Sequence, residues 1–149
     1  MAIKAERRAE VVWEGDLMHG KGTIVNTGSG ALGQLPVTWA SRTERSDGKT
    51  SPEELLAAAH AACYAMAFSN TLARAGTPAE RLTVNATCTF EQVESGFKVS
   101  TMNLDVRGKV PGLDSSGFEN AARQAEQGCP VSNALRNNVQ IHVNASLES

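Results

Sequence analysis

The sequence predicts an α+β fold: antiparallel strands around a buried central helix, in the order β-β-β-α-β-β-α-β. Three observations carry this. Residues 51–69, "SPEELLAAAHAACYAMAFS", open with helix-start signals and run on in alanine. Residues 81–92 and 139–147 alternate apolar and polar side chains with the period of a half-buried strand. Before residue 41, short β-branched runs are punctuated by glycine, as in hairpins. With 149 residues, 41% of them apolar, the chain can bury one core, so residues 1–149 are read as a single domain.

The first strands are placed at about residues 5–14, 22–26 and 35–40. Two glycine motifs lie among them. "GDLMHGKG" resembles a phosphate-binding loop, but Gly22 stands where a Ser or Thr is needed and β-branched "TIV" follows. "GSGALG" matches the dinucleotide fingerprint, yet "QLPVTW", extended and broken by Pro36, follows it. Without a strand before and a helix after, both are read as hairpin turns. A polar loop, "SRTERSDGKT", leads to the central helix.

Ser51, Pro52 and Glu54 form a helix start with a capping box, leaving Glu53 outside it. From there apolar residues occupy every face through Phe68, which predicts burial on most sides. In so small a chain, part of that cover is expected from a second subunit, and a homodimer is inferred. Gly76 and Pro78 end the helix region. Leu82, Val84, Ala86, Cys88 and Phe90 then share one strand face. On the return strand the apolar parity switches between Phe97, Val99 and Met102, Leu104, Val106, which predicts a β-bulge near Ser100 and Thr101. Ser116 and Glu119 read as a second capping box, Gly128 closes that helix, and Val139, Ile141, Val143, Ala145 and Leu147 point inward from the last strand.

A net charge of −2, with no basic run, gives no footprint for nucleic acid or an anionic membrane surface. The N-terminus lacks an apolar signal region, and the apolar run 55–68, interrupted by His60, is too short to span a bilayer, so a cytoplasmic protein is expected. Three separated cysteines do not make a secreted disulfide scaffold, and any redox chemistry they support is expected to be catalytic. No Cys-x-x-Cys or His-x₃₋₅-His spacing suggests a metal site.

The cysteines differ in setting. Cys88, on an alternating strand, reads as a small core hydrophobe. Cys129 falls between Gly128 and Pro130, at the N-cap of a further helix, where free N–H groups favour a thiolate. Cys63 lies about 18 Å beyond the Ser51 cap at ~1.5 Å per residue. Burial there raises its pKa, so it becomes reactive only beside a cation, best supplied by an arginine. Taken alone, these settings favour Cys129 as the nucleophile. His60, one turn before Cys63, invites a Cys-His reading but is taken as a partly polar helix position. Met66 and Phe68 could line an apolar pocket, although core packing explains them equally well.

"SPEELLAAAHAACYAMAFS" and "GCPVSNAL" resemble the two cysteine motifs of the OsmC/Ohr family, the osmotically inducible protein C and organic hydroperoxide resistance proteins. "WEGDLMHGKGT" and "GALGQLP" resemble the OsmC branch. The resemblance covers essentially the whole chain. It implies an intertwined homodimer with two active sites at the subunit interface, and thiol-dependent reduction of organic hydroperoxides and, more weakly, hydrogen peroxide. It also implies that Cys63 is the peroxidatic and Cys129 the resolving cysteine, reversing the choice made from their settings. Glu53 matches the family's arginine-orienting glutamate and Arg42 its arginine, with Arg45 the alternative occupant. No bound cofactor is implied. The reductant is an external dithiol, lipoyl groups on protein carriers. The alternative function is a non-catalytic dimer that binds a small apolar ligand or senses oxidation.

Overall fold

The computed structural model describes residues 2–148. The chain divides into two compact units, Met1–Pro52 and Glu53–Ser149.

The first unit is a three-stranded antiparallel sheet, β1 (Ala9–Glu14), β2 (Lys21–Thr27) and β3 (Leu35–Val37), in the order β1-β2-β3. Both glycine motifs are turns, as expected. Gly15, at φ 93°, opens the β1–β2 connection, and Gly20 N–H closes it on Asp16 O at 2.8 Å. Gly30, at φ 78°, sits between β2 and β3. The first strand begins at Ala9 rather than near residue 5.

The third strand is shorter than predicted, because residues 39–43 form a helix, α1 (Trp39–Thr43). Thr38 causes this. Its hydroxyl accepts from Ser41 N–H at 3.0 Å while Ser41 Oγ accepts from Thr38 N–H at 2.9 Å, a reciprocal cap that turns the chain out of the sheet.

The second unit packs two helices on one sheet. The central helix, α2 (Pro52–Arg74), ends as predicted at Gly76, whose φ of 86° lets Thr77 N–H reach back to Leu72 O at 3.0 Å. By length and composition alone α2 is long and apolar enough to cross a membrane, a test that the core helix of a soluble protein also passes. Only one stripe of it is buried within the chain: Glu53, His60, Tyr64, Phe68 and Leu72. Ala58, Ala59, Ala62 and Met66 are exposed, so the predicted burial on most sides is not achieved by this chain's own residues.

β4 (Arg81–Val93) and β5 (Gly96–Lys109) form a long antiparallel hairpin. Its register shifts where Thr89 faces Thr101 and Phe90 faces Val99, leaving Ser100 as the extra residue. This is the predicted bulge, and it turns Met102, Leu104 and Val106 into the core after Val99. β6 (Gln140–Leu147) pairs with β5 in parallel, not antiparallel as predicted. Two helices lie between them, α3 (Ser115–Gly128) and the short α4 (Pro130–Leu135), and this crossover brings β6 back in the direction of β5.

The cap of α3 is Asp114, not Ser116. Its carboxylate accepts from Gly117 N–H at 2.8 Å, starting the helix before the expected box. The element order therefore gains α1 and α4 over the predicted series.

The core joins α2, α3 and the sheet. Phe68 packs on Phe118 with ring centroids 4.9 Å apart, and the buried Tyr64 hydroxyl donates to Ala122 O at 2.8 Å. Leu82, Val84, Ala86 and Cys88 from β4 and Ile141, Val143 and Ala145 from β6 pack against this cluster, as their alternation predicts.

Gly108 makes the α3–sheet contact possible: a Cβ there would fall 2.5 Å from two ring carbons of Phe118 and 3.0 Å from Leu82 Cδ2. Phe118 is fully buried and cannot swing out to solvent. Gly108→Ala is therefore expected to destabilise the fold by about 1–3 kcal/mol, the usual cost of overpacking. Denaturant unfolding measures it, and an unchanged midpoint would show that α3 can yield.

Candidate active site

The two cysteine motifs, far apart in sequence, meet in the second unit. Cys63 comes from the middle of α2 and Cys129 from the single residue between α3 and α4. The two thiols are near enough to act on one another's ionisation, and both are free. Cys63 is partly exposed, whereas Cys129 is fully buried.

Cys129 holds the N-cap backbone position of α4, φ −80° and ψ 117°, as its place before Pro130 predicts. Its side chain makes no capping hydrogen bond. Instead the N–H of Val131, the second residue of α4, lies near enough to the Cys63 sulfur to favour its charged form. The unsatisfied donor that the sequence reading offered to Cys129 is thus offered to Cys63.

The Cys63 thiol sits above the ordinary cysteine range, chiefly because burial disfavours its charge. The Val131 N–H pulls the other way, and the neighbouring Cys129 thiol pushes it further up. Cys88, on the core side of β4, is also raised, first by burial and then by the nearby charge of Glu53.

Glu53 lies in the first turn of α2 with only 7% of its surface exposed. In the first unit, Arg42 is half-buried in the last turn of α1, and its guanidinium carbon lies 5.9 Å from the centroid of the Trp39 ring. Arg45 is exposed and faces Asp47 at 3.8 Å.

Several residues have settings the sequence did not reveal. His60 is fully buried, and its Nε2 lies 2.7 Å from Ser132 Oγ, itself fully buried on α4. The spacing from His60 to Cys63 placed it on the right element but gave no hint of a partner on α4. Arg136 closes the α3–α4 corner: Nη1 donates to Glu126 Oε1 at 2.7 Å, and Nη2 to Glu126 O at 3.2 Å and Asn133 Oδ1 at 3.0 Å. Met66 is 68% exposed, and Phe68 belongs to the core rather than to a pocket. His19 is exposed and its Nδ1 lies 3.1 Å from Asp16 Oδ1. Among the described residues, no group of three or more His, Cys, Asp or Glu side chains is placed to hold a metal ion.

Comparison with known proteins agrees with this architecture. The peroxiredoxin OsmC of Escherichia coli is 40% identical over 130 residues, 87% of this chain and 90% of its own length. The organic hydroperoxide resistance protein of Xanthomonas axonopodis pv. citri is 32% identical over 94 residues, 62% of this chain and 63% of its own. The crystal structure of the organic hydroperoxide resistance protein OhrB of Bacillus subtilis superposes with a TM-score of 0.73 at 23% identity, covering 93% of this chain and 98% of that one, a likeness of fold. With residues 45–144 matching the OsmC-like protein family, the chain belongs to that family.

Proposed function

We propose that this chain is a cysteine-based peroxidase that reduces organic hydroperoxides, and hydrogen peroxide more weakly. The observation that carries the reading is the meeting of Cys63 and Cys129, both free, in one packed cluster with Val131. The relatives named for peroxiredoxin and hydroperoxide-resistance activity support the substrate class.

In the proposed cycle the Cys63 thiolate attacks the distal peroxide oxygen. The O–O bond breaks, the alkoxide leaves and takes a proton to become an alcohol, and Cys63 becomes a sulfenic acid. Cys129 then attacks the sulfenic sulfur, forming the disulfide and releasing water. An external dithiol, implied by the family resemblance to be a lipoyl group on a protein carrier, exchanges with that disulfide and leaves as its own cyclic disulfide. No bound cofactor takes part. Cytoplasmic residence suits a cycle that starts from free thiols.

The partly exposed Cys63 can meet substrate, whereas the buried Cys129 cannot without rearrangement, which favours Cys63 as the attacking sulfur. Burial alone leaves Cys63 protonated, so the reaction needs a cation. Arg42 is the proposed cation and hydrogen-bond donor, with Glu53 orienting its guanidinium. The half-burial of Arg42 supports this choice over the exposed, Asp47-facing Arg45.

The two units act as one peroxidase domain within a homodimer. The exposed α2 face of Ala58, Ala59, Ala62 and Met66, and β1 with Val11 and Val12 exposed, are the surfaces a second subunit would cover.

Cumene hydroperoxide with dihydrolipoamide tests the activity. Sustained turnover, abolished by prior thiol alkylation, is expected; oxidation that stops after one equivalent would mean a sensor. In the same assay Cys63→Ser should lose all peroxide reduction. Cys129→Ser should consume about one equivalent and leave a sulfenate that dimedone traps. Cys88→Ser should keep most of its turnover, and its inactivity in a folded protein would refute the division of roles.

Arg42→Met is expected to lower turnover about 100-fold or more near neutral pH, the scale of a lost transition-state donor. Because the folded environment raises the Cys63 pKa, higher pH should restore thiolate and part of the rate. Glu53→Gln should be milder, and Arg45→Met should match wild type. The reverse result for the two arginines would move the role to Arg45. For the dimer, the unfolding midpoint should rise with protein concentration; a constant midpoint with a monomeric mass would contradict it.

A further inference from the structure

Behind the cysteine pair lies a polar contact for which the proposed cycle has no use. His60 is one turn from Cys63 on α2, and Ser132 directly follows Val131 on α4. The 2.7 Å His60 Nε2–Ser132 Oγ bond therefore joins the two elements that already meet at the Cys63 sulfur. His60 Nδ1, also buried, has no hydrogen-bond partner among the described residues, so the polar attachment of the ring seen there runs through Nε2 to Ser132.

An apolar side chain would fill the same volume without stranding a ring nitrogen, whose burial carries a desolvation cost of about 1–3 kcal/mol. Packing alone does not account for a histidine there. Burial keeps the imidazole neutral against the opposing charge of Glu126, so the contact is a plain hydrogen bond and not an ion pair.

The construction of α4 shows what the bond can do. The helix is only six residues long, and Ser132 is its one buried residue. At its far end Arg136 ties it to Glu126 on α3. Near its start, the His60–Ser132 bond ties it to α2.

We propose that the His60–Ser132 bond is a latch that seats the start of α4 against Cys63, holding the Val131 N–H and the Cys129 thiol within bonding reach of that sulfur. The proposal rests on the reading of Cys63 and Cys129 as the working pair. When the disulfide closes, the Cys129 sulfur bonds to the sulfenic sulfur of Cys63 and the S–O bond breaks. The hydroxyl leaves as water, taking up the proton of the Cys129 thiol. The two sulfurs must come to about 2.05 Å with a restricted dihedral angle, so a loosely seated α4 slows this step. His60 and Ser132 are positioning residues, since neither touches the peroxide.

The test uses the full chain as wild type, Ser132→Ala, His60→Leu and His60→Gln. Each reduced protein receives one equivalent of cumene hydroperoxide, and samples quenched with dimedone over time are resolved by mass spectrometry into trapped Cys63 sulfenate and Cys63–Cys129 disulfide. Iodoacetamide alkylation of Cys63 against pH is the second readout, and the unfolding midpoint is recorded for each variant. Ser132→Ala and His60→Leu are expected to close the disulfide about fivefold to tenfold more slowly, the scale of one neutral hydrogen bond. More sulfenate should be trapped, and the alkylation midpoint should move to higher pH. His60→Gln, whose amide offers both a donor and an acceptor in place of Nε2, should recover most of the wild-type rate, which a loss of packing would not allow. Wild-type closure in Ser132→Ala, or equal defects in His60→Gln and His60→Leu, overturns the latch. If Ser132→Ala does not fold, the comparison of the two His60 variants decides. Failure of the underlying reading is separate and visible in wild type alone, as no sulfenate or disulfide at Cys63.

Discussion

The second unit depends on one helical stripe. His60, Tyr64, Phe68 and Leu72 follow one another at single-turn spacing along α2, and all four are fully buried. The lower part is apolar and aromatic, with Phe68 against Phe118 and Tyr64 bonded to the backbone of α3 at Ala122. These contacts fix the rotation of α2 about its axis. Cys63, adjacent to Tyr64, is thereby turned to the edge of the buried face, where it meets α4 and still reaches solvent. Rotating the helix by one residue would either submerge that sulfur or carry it away from Cys129.

The same stripe explains why the Cys63 thiol resists ionisation. A thiol on the middle turns of a long helix gains nothing from that helix's own dipole, and burial works against its ionisation. The N–H of Val131 offsets part of this, because α4 begins immediately after α3 and leaves its first donors unbonded. One backbone donor does not replace a positive charge. The proposed charge partner is an arginine because a guanidinium stays charged when desolvated, as lysine and histidine do not.

Much of the fold was legible because it depends on local rules. The β4 alternation, the parity switch at Ser100 and the stop at Gly76 each record a backbone requirement within a few residues of the signal. The misreadings have equally local causes. The Thr38–Ser41 box lies within "QLPVTW" and the residues after it, where the extended pattern masks the helix start. Asp114 lies two residues before Ser116 and captures the helix start with a stronger acceptor. The direction of β6 had no local signal, since alternation is identical in parallel and antiparallel strands.

The sequence by itself determined the element types, the inward face of each long strand and the two cysteine motifs, because capping, periodicity and motif spacing act over short distances along the chain. It also identified Cys129 as the start of a helix. Which sulfur that helix serves was decided only by tertiary structure. The Val131 N–H and the Ser132 hydroxyl acquire their partners, Cys63 and His60, from the packing of α2 against α4, and contacts between distant segments leave no periodic trace in sequence. The physical reason is that a helix terminus offers donors in a direction, and only the folded core fixes what stands in it.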